Sequence, residues 1–81
     1  MMGGTLMVLS LDQVCRDVWA RVIGIDAGLS MQQRLRAFGL VPGTWVRRRY
    51  DSPAGDVSAI ELRGSMLALR KHDLHCIRVR V

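Results

Sequence analysis

Short stretches of alternating apolar and polar residues occur along much of the chain, and they predict a small protein made mostly of β-strands. The alternation is clearest at the C-terminus, where Ile77, Val79 and Val81 are separated by arginines. The pattern predicts about five short strands, at residues 18–25, 45–50, 57–63, 66–70 and 77–81. It also allows a short edge strand at residues 6–9.

One segment departs from this pattern and has the apolar spacing of a helix. Met31, Leu35 and Phe38 recur at intervals of four and three residues, which places them in one stripe. Ser30 is predicted to be the N-cap of this helix, and Gln33, three residues later, completes a capping box. The segment is therefore expected to form one short amphipathic helix.

The end of this helix is predicted in more detail, because glycine and proline stand where the backbone requires them. Gly39 suits the left-handed C′ position of a Schellman cap, in which Leu35 and Leu40 are expected to touch. Pro42-Gly43 suits the two central positions of a type II turn that leads into the next strand. The short strands are expected to gather around this unit of helix, stop and turn.

The remaining turn signals indicate tight antiparallel connections. Residues 51–56 are rich in turn formers and predict a hairpin loop, and Gly64-Ser65 predicts a second tight turn. Residues 10–13 have the spacing of a capping box for a single helical turn, and residues 71–75 predict another helical turn. Closely spaced antiparallel strands of this kind favour a small barrel, which leaves few exposed strand edges.

An arginine run in the strand at residues 45–50 carries the densest positive charge of the chain. Trp45, Arg47 and Arg49 are predicted to share one face of that strand, whereas Arg48 and Tyr50 share the other. Arg48 is expected to point inward with an extended stem, so that its charged end reaches the rim of the barrel. The outward arginines form a candidate contact surface, although a solvated sheet face has the same pattern.

The composition indicates one domain with an aliphatic core, because 49% of the 81 residues are hydrophobic and only 5% are aromatic. Residues 1–10 are expected to be a partly flexible extension, and residues 11–81 the folded domain. The formal net charge is +5, and Lys71 is the only lysine among twelve basic residues. Such a charge invites contact with nucleic acid or an anionic membrane, although it also occurs for solubility alone.

The N-terminal segment has no basic residue through residue 9 and only a short apolar run. It is too short to span a bilayer and lacks the charged start of a secretory signal. Cys15 and Cys76 are too few for a disulfide scaffold, and a disulfide between them is the less favoured option. The chain is therefore expected to be cytoplasmic, with reduced thiols and no direct membrane insertion.

A short histidine–cysteine motif, His72, His75 and Cys76, has the spacing for metal ligands that share one helix face. A solvated face is the competing interpretation, because one helical turn followed by a strand points these side chains apart. Paired cysteines at C-x-x-C spacing do not occur. No metal or other cofactor is therefore predicted, and the three residues remain the candidate ligands.

The sequence shows few features of a catalytic site. The seven acidic residues lie mostly in predicted turns or at outward strand positions. Neither a nucleophile elbow nor a glycine-rich phosphate-binding motif is present. An enzyme is therefore not predicted, and no catalytic residues are assigned.

Exposed tryptophan beside arginine is a common composition of protein interfaces, and it favours a docking surface for a protein partner. The candidate docking residues are Arg34, Arg36, Trp45, Arg47, Arg49 and Tyr50. The alternative is a small basic nucleic-acid-binding barrel, in which Trp19, Trp45 and Tyr50 are the available stacking residues. Because so few aromatic residues are present, a nucleic-acid partner is not expected.

The segment RLRAFGLVPGT resembles the ferrous iron transport protein A (FeoA) family, whose pattern joins an arginine–leucine helix, a glycine stop and a P-G-[ST] turn. The matching residues are Arg34, Leu35, Phe38, Gly39, Leu40, Pro42, Gly43 and Thr44. The resemblance continues through Pro53, Gly55, Asp56 and Gly64, and then through residues 67–70 and 77–79. It covers roughly residues 11–81.

The resemblance implies a mostly β, SH3-like barrel with one short helix and a C-terminal helical turn. It also implies a cytosolic accessory protein of bacterial ferrous iron uptake, which docks on the membrane transporter FeoB and modulates its assembly or activity. The family has no agreed metal-binding motif. Two departures stand out: a glycine common before the first long strand is missing from residues 14–18, and Val57 replaces a frequent proline.

Overall fold

The computed structural model describes residues 7–81, and this part of the chain folds as one antiparallel sheet with short helices against it. The strands are β1 (Val8–Ser10), β2 (Trp19–Ile25), β3 (Trp45–Asp51), β4 (Val57–Leu62), β5 (Ser65–Arg70) and β6 (Ile77–Arg80). The helices are a 3-10 helix (Leu11–Gln13), α1 (Leu29–Ala37) and α2 (Lys71–Cys76). The predicted mostly β architecture is confirmed, with six strands in residues 7–81. The part of the predicted edge strand before residue 7 lies outside the described residues.

The sheet is open rather than a closed barrel. Its strand order is β1-β6-β2-β3-β4-β5, so β1 and β5 form its two edges. The helix α2 lies between these edges, because it contacts β5 on one side and both β1 and the 3-10 helix on the other. The chain therefore passes from β5 through α2 into β6, and the first and last strands of the sheet do not pair.

The core is aliphatic, as the composition predicts. Alternate residues of the strands point to one side of the sheet, where the side chains of the helices meet them. The buried core residues are Leu11, Val14, Ala20, Val22, Leu35, Leu40, Val46, Ile60, Leu62, Leu69, Leu74, Ile77 and Val79.

The helix α1 begins earlier than predicted, so the assignment of Ser30 as its N-cap is wrong. Gly28 is the N-cap and has the extended backbone of that position, while Ser30 lies within the first helical turn. The side chain of Gln32 reaches back to the carbonyl of Ala27 at 2.7 Å, which links this first turn to the preceding loop. Of the predicted apolar stripe, Leu35 is fully buried, whereas Phe38 follows the helix and is exposed.

The end of α1 is as predicted. The amide of Leu40 donates to the carbonyl of Leu35 at 3.1 Å, and Gly39 has φ +97°, as a Schellman cap requires. The following turn has Gly43 at φ +95° and is closed by a backbone hydrogen bond of 3.1 Å across residues 41–44. The helix, its stop and the turn into β3 therefore form one continuous unit above the core.

The turn between β4 and β5 lies one residue earlier than predicted. Leu62 pairs with Ser65, so Ser65 already belongs to β5 and the central turn residues are Arg63 and Gly64. Both have positive φ, +50° and +77°, which is the backbone of a type I′ hairpin turn. Arg63 thus has a positive φ, which residues other than glycine, asparagine and aspartate rarely adopt.

Asp17 also has positive φ, at +65°, just before β2. It lies in the segment where the resembled family has a glycine that this chain lacks. Aspartate is one of the few other residues that tolerate this conformation, so the backbone path is kept without the glycine. A bulge also interrupts the pairing of β2 with β6 between Val22 and Gly24.

None of the helices formed by residues 7–81 is long and apolar enough to cross a membrane.

Candidate docking surface

A bulge in β3 determines which arginines and aromatic residues share a surface. Arg48 pairs with Ile60, but Tyr50 already pairs with Ala59, so Arg49 is an extra residue in the ladder. The extra residue reverses the alternation after it. Tyr50 therefore faces outward with Glu61 and Arg47, and the prediction that it shares the face of Arg48 is wrong.

The outer face of the sheet carries a row of paired residues across four strands. Trp19 of β2 lies opposite Arg47 of β3, Arg47 lies opposite Glu61 of β4, and Glu61 lies opposite Met66 of β5. In the neighbouring row, Arg21 lies opposite Trp45. Tryptophan and arginine thus alternate between β2 and β3. We call the surface formed by Trp19, Trp45, Arg47, Arg49 and Tyr50 the tryptophan–arginine face.

Arg47 is held between two of its neighbours. Its guanidinium carbon lies 4.5 Å from the centroid of the Trp19 ring, which is a cation–π distance. Its Nε and Nη2 atoms donate to one carboxylate oxygen of Glu61 at 3.1 and 2.7 Å. The arginine therefore fixes the position of the tryptophan on one side and of the carboxylate on the other.

Arg49 joins the same cluster from the bulge. Its Nη1 donates to Glu61 at 3.2 Å, its Nε lies 3.3 Å from Asp17, and its guanidinium carbon lies 5.6 Å from the Tyr50 ring centroid. Hydrogen bonds and charge from Arg47 and Arg49 hold the pKa of Glu61 below its ordinary value. The same carboxylate raises the pKa of Arg49. The basic residues of this face are thus partly neutralised by acids.

An open cavity of about 510 Å³ lies between the two tryptophans. Trp19 is 42% exposed and Trp45 is 54% exposed, and the remaining wall comes from two turns, residues 42–44 and 63–64. One of these turns is the predicted Pro42-Gly43 turn after α1. The turn therefore positions Trp45 at the start of β3 and also forms part of the cavity wall.

Arg48 has a structural position, and its predicted inward orientation is confirmed. Its side chain is only 14% exposed, and its Nη1 donates to the carbonyls of Asp12 and Val14 at 3.2 and 2.8 Å. Its Nη2 donates to the carboxylate of Asp51 at 3.0 Å. A hydrogen bond from Ser58 and the one from Arg48 lower the pKa of Asp51. Arg48 thus ties the segment after β1 to the end of β3.

The two helix arginines lie outside the tryptophan–arginine face. Arg34 pairs with the buried carboxylate of Asp73 in α2 at 3.1 Å, so it connects the two helices. Arg36 is exposed on α1. Neither lines the cavity between the tryptophans. A docking role for Arg34 and Arg36 stays a prediction.

The histidine–cysteine motif lies on α2. His72 and His75 are exposed, and the sulfur of Cys76 lies 3.5 Å from the carbonyl of His72. His75 faces Asp12 at 3.3 Å. Burial opposes ionisation of Asp12, but the hydroxyl of Ser10 and the neighbouring His75 lower its pKa overall. Among residues 7–81, no group of three or more histidine, cysteine, aspartate or glutamate side chains is placed to hold a metal ion, and both cysteines there are free thiols.

Trp19 of the tryptophan–arginine face, and the carboxylates of Glu61 and Asp17 that contact its arginines, are not among the docking candidates from the sequence. The strand pattern places Trp19 on an outward face, and that was the available signal. Its position beside Arg47 depends on which strands are neighbours and in what register, and this is not visible in local sequence.

The comparisons with known proteins agree with this fold. The family model of the FeoA domain matches residues 9–81. No curated protein sequence matches the chain. Several solved structures match the chain. One is an NMR structure of a FeoA-like protein from Clostridium acetobutylicum, with 32% sequence identity and a TM-score of 0.83. The match covers 91% of this chain and 86% of that chain.

Two crystal structures extend the comparison. One is of an iron uptake regulatory protein (FeoA), with 25% identity, a TM-score of 0.81, and 93% of this chain and 100% of that chain covered. The other is of FeoA from Stenotrophomonas maltophilia in complex with zinc, described as a prokaryotic SH3-domain protein. It has 24% identity, a TM-score of 0.76, and coverage of 88% of each chain, and it supports an SH3-like fold.

Proposed function

This chain belongs to the FeoA family, which is associated with ferrous iron transport, and from this we propose that it is a cytoplasmic accessory protein of bacterial ferrous iron uptake. In this proposal it docks on the cytosolic part of a FeoB-type transporter and modulates the assembly or activity of that transporter. It acts by binding rather than by catalysis, and it does not insert into the membrane.

The observation that carries the proposal is the tryptophan–arginine face. Two half-exposed tryptophans flank an open cavity, and Arg47 holds one of them in place. Tryptophan and arginine are the residues most enriched among the energetically dominant contacts of protein interfaces. A pre-positioned aromatic side chain loses little conformational entropy on binding, so such a face suits a protein partner.

The charge arrangement favours a protein partner over a nucleic acid. Arg47 and Arg49 share the carboxylate of Glu61, and Arg49 also lies beside Asp17. Nucleic-acid binding depends on releasing counterions from phosphates, for which unneutralised cations are needed. A face in which arginines already hold carboxylates is better suited to a mixed, polar protein surface.

The experiment that tests the proposal is co-purification of the tagged chain with the cytosolic part of the transporter from the same organism. Association is expected at physiological salt, and deletion of the chain is expected to reduce ferrous iron uptake. Failure to associate at both low and physiological salt, together with unchanged uptake after deletion, would contradict it. Binding to RNA or DNA that falls steeply with added salt would instead support the nucleic-acid-binding alternative.

A further inference from the structure

Before its junction with α2, the strand β5 forms an uncovered edge of the sheet. Its one strand neighbour within residues 7–81 is β4. The two strands pair without a bulge, from the Leu62–Ser65 pair beside the turn to the Val57–Arg70 pair at the other end. Between Ser65 and Leu69 it carries no charged residue. Natural proteins usually guard such edges with charges, bulges or a covering element, because an open edge can pair with another chain.

The register shows which backbone groups of β5 face this edge. Leu62 and Ser65 flank a two-residue turn, so they form a hydrogen-bonded pair, and such pairs alternate along an antiparallel ladder. Leu67 and Leu69 therefore bond to β4, whereas the amides and carbonyls of Met66 and Ala68 point away from it. The amide of Arg70 also points outward, but it donates to the carboxylate of Asp73. Two residues thus offer a complete set of donors and acceptors for an added strand.

A groove lies beside this edge. A cavity of about 350 Å³ separates the end of α1 from the first half of β5, and Phe38, Gly39, Met66 and Leu67 form part of its wall. Phe38 is 46% exposed and Met66 is 52% exposed. Peptide recognition by strand addition combines backbone bonds along an edge with pockets for alternate side chains. The edge of β5 and the neighbouring groove provide both.

The charges at the two ends of the edge indicate what occupies it. Arg63 lies in the turn just before β5, Arg70 is the last residue of β5, and Lys71 is the first residue of α2. If two copies of the chain paired antiparallel about Leu67, Arg63 of each would lie opposite Lys71 of the other. Like charges directly opposite are destabilising, and each chain has a net charge of +5. An acidic segment of another protein avoids this repulsion.

We propose that an extended segment of a partner protein, acidic at both ends and apolar at its centre, pairs with the free edge of β5 as an added strand. Its backbone bonds to Met66 and Ala68, an apolar side chain enters the groove beside Phe38, and its acidic ends face Arg63 and Arg70. This surface shares Arg63 with the wall of the cavity between the tryptophans but uses none of the five residues of the tryptophan–arginine face. The inference holds whether or not that face docks on the transporter.

The test is amide hydrogen exchange of the full chain, measured by NMR with a short synthetic peptide that has a valine–threonine centre and two glutamates at each end. The matched control peptide carries lysines in place of the glutamates. The acidic peptide should slow exchange at Met66 and Ala68 about tenfold or more, and leave the amides of Leu67 and Leu69 unchanged. The lysine peptide should have no effect.

Two variants complete the test. Ala68→Pro removes an amide that faces the open edge, and it removes no hydrogen bond to β4. The variant should therefore stay folded and lose the response to the peptide. Trp45→Ala should keep the response. The proposal is overturned if the acidic peptide at millimolar concentration leaves Met66 and Ala68 exchanging as before, or if both peptides protect them equally. It is also overturned if these amides become protected with rising protein concentration alone, which would identify a second copy as the occupant. If Ala68→Pro does not fold, the exchange measurement on the unaltered chain decides.

Discussion

The guanidinium carbon of Arg47 lies over the Trp19 ring, 4.5 Å from its centroid, although the two residues belong to different strands. The pairing of β2 with β3 brings them together, and Glu61 of β4 holds the arginine from the other side. One carboxylate thus indirectly orients a tryptophan two strands away. The face we propose for docking is therefore part of the sheet structure, and its geometry depends on the strand register.

Glu61 should make the stability of the fold depend on pH. Its pKa in the folded chain is lowered, chiefly by Arg47, so its ionised form stabilises the fold above its ordinary pKa of about 4.5. This contribution is lost as pH falls below that value through the lowered pKa. Glu61→Gln should therefore lower the urea midpoint at neutral pH and have a smaller effect near pH 3. An equal effect at both pH values would contradict this origin of the pH dependence.

Gly39 should be intolerant of a side chain. Alanine at φ +97° is strained, and its Cβ would lie 3.4 Å from a methyl group of Leu62. Gly39→Ala is expected to reduce the free energy of unfolding by about 1–2 kcal/mol in chemical denaturation. Gly24→Ala is the matched control, because a Cβ there has open space around it, and its effect should stay below about 1 kcal/mol. Equal costs at the two positions would show that the helix stop is not the cause.

Arg63 should be replaceable with a gain in stability. It adopts φ +50° before Gly64 in a type I′ turn, where asparagine is a favoured residue. Arg63→Asn should raise the free energy of unfolding by about 0.5–1 kcal/mol, measured by urea denaturation. Ser65→Asn, in the adjacent strand position, should give no gain. A loss of stability in Arg63→Asn would mean that the arginine side chain makes compensating contacts at the turn.

Arg48 should stabilise the fold rather than serve docking. Its guanidinium satisfies the carbonyls of Asp12 and Val14, which methionine at this position would leave without a donor. Arg48→Met is expected to cost about 1–3 kcal/mol of unfolding free energy, whereas Arg36→Met on the exposed side of α1 should change it by less than about 0.5 kcal/mol. Arg48→Met should bind the transporter unchanged under conditions in which it is folded. Weakened binding by folded Arg48→Met would give this residue a docking role.

The features that were predicted from the sequence have local causes. Gly39 and Gly43 stand where the backbone needs positive φ, so the helix stop and the following turn could be placed before the structure was known. The start of α1 was misplaced because Gly28 and Ser30 are both acceptable N-caps, and local chemistry alone does not decide between them.

The features that were missed depend on strand pairing. The bulge at Arg49 has no glycine to indicate it, yet it moves Tyr50 to the opposite face of β3. The position of Trp19 over Arg47 and the free edge of β5 both follow from the order of strands in the sheet. The FeoA resemblance rests mainly on residues that form the helix, the stop and the turns, so it identified the family without locating the docking surface.

The most direct test of the docking proposal is the affinity of the chain for the cytosolic part of the transporter, measured by titration calorimetry with variants of the tryptophan–arginine face. Trp19→Ala and Trp45→Ala should each weaken binding by about 2 kcal/mol, or roughly 30-fold. Leu29→Ala, an exposed apolar position on α1, should bind as the unaltered chain does. Unchanged affinity in both tryptophan variants, or no binding by the unaltered chain at low salt, would contradict the proposal.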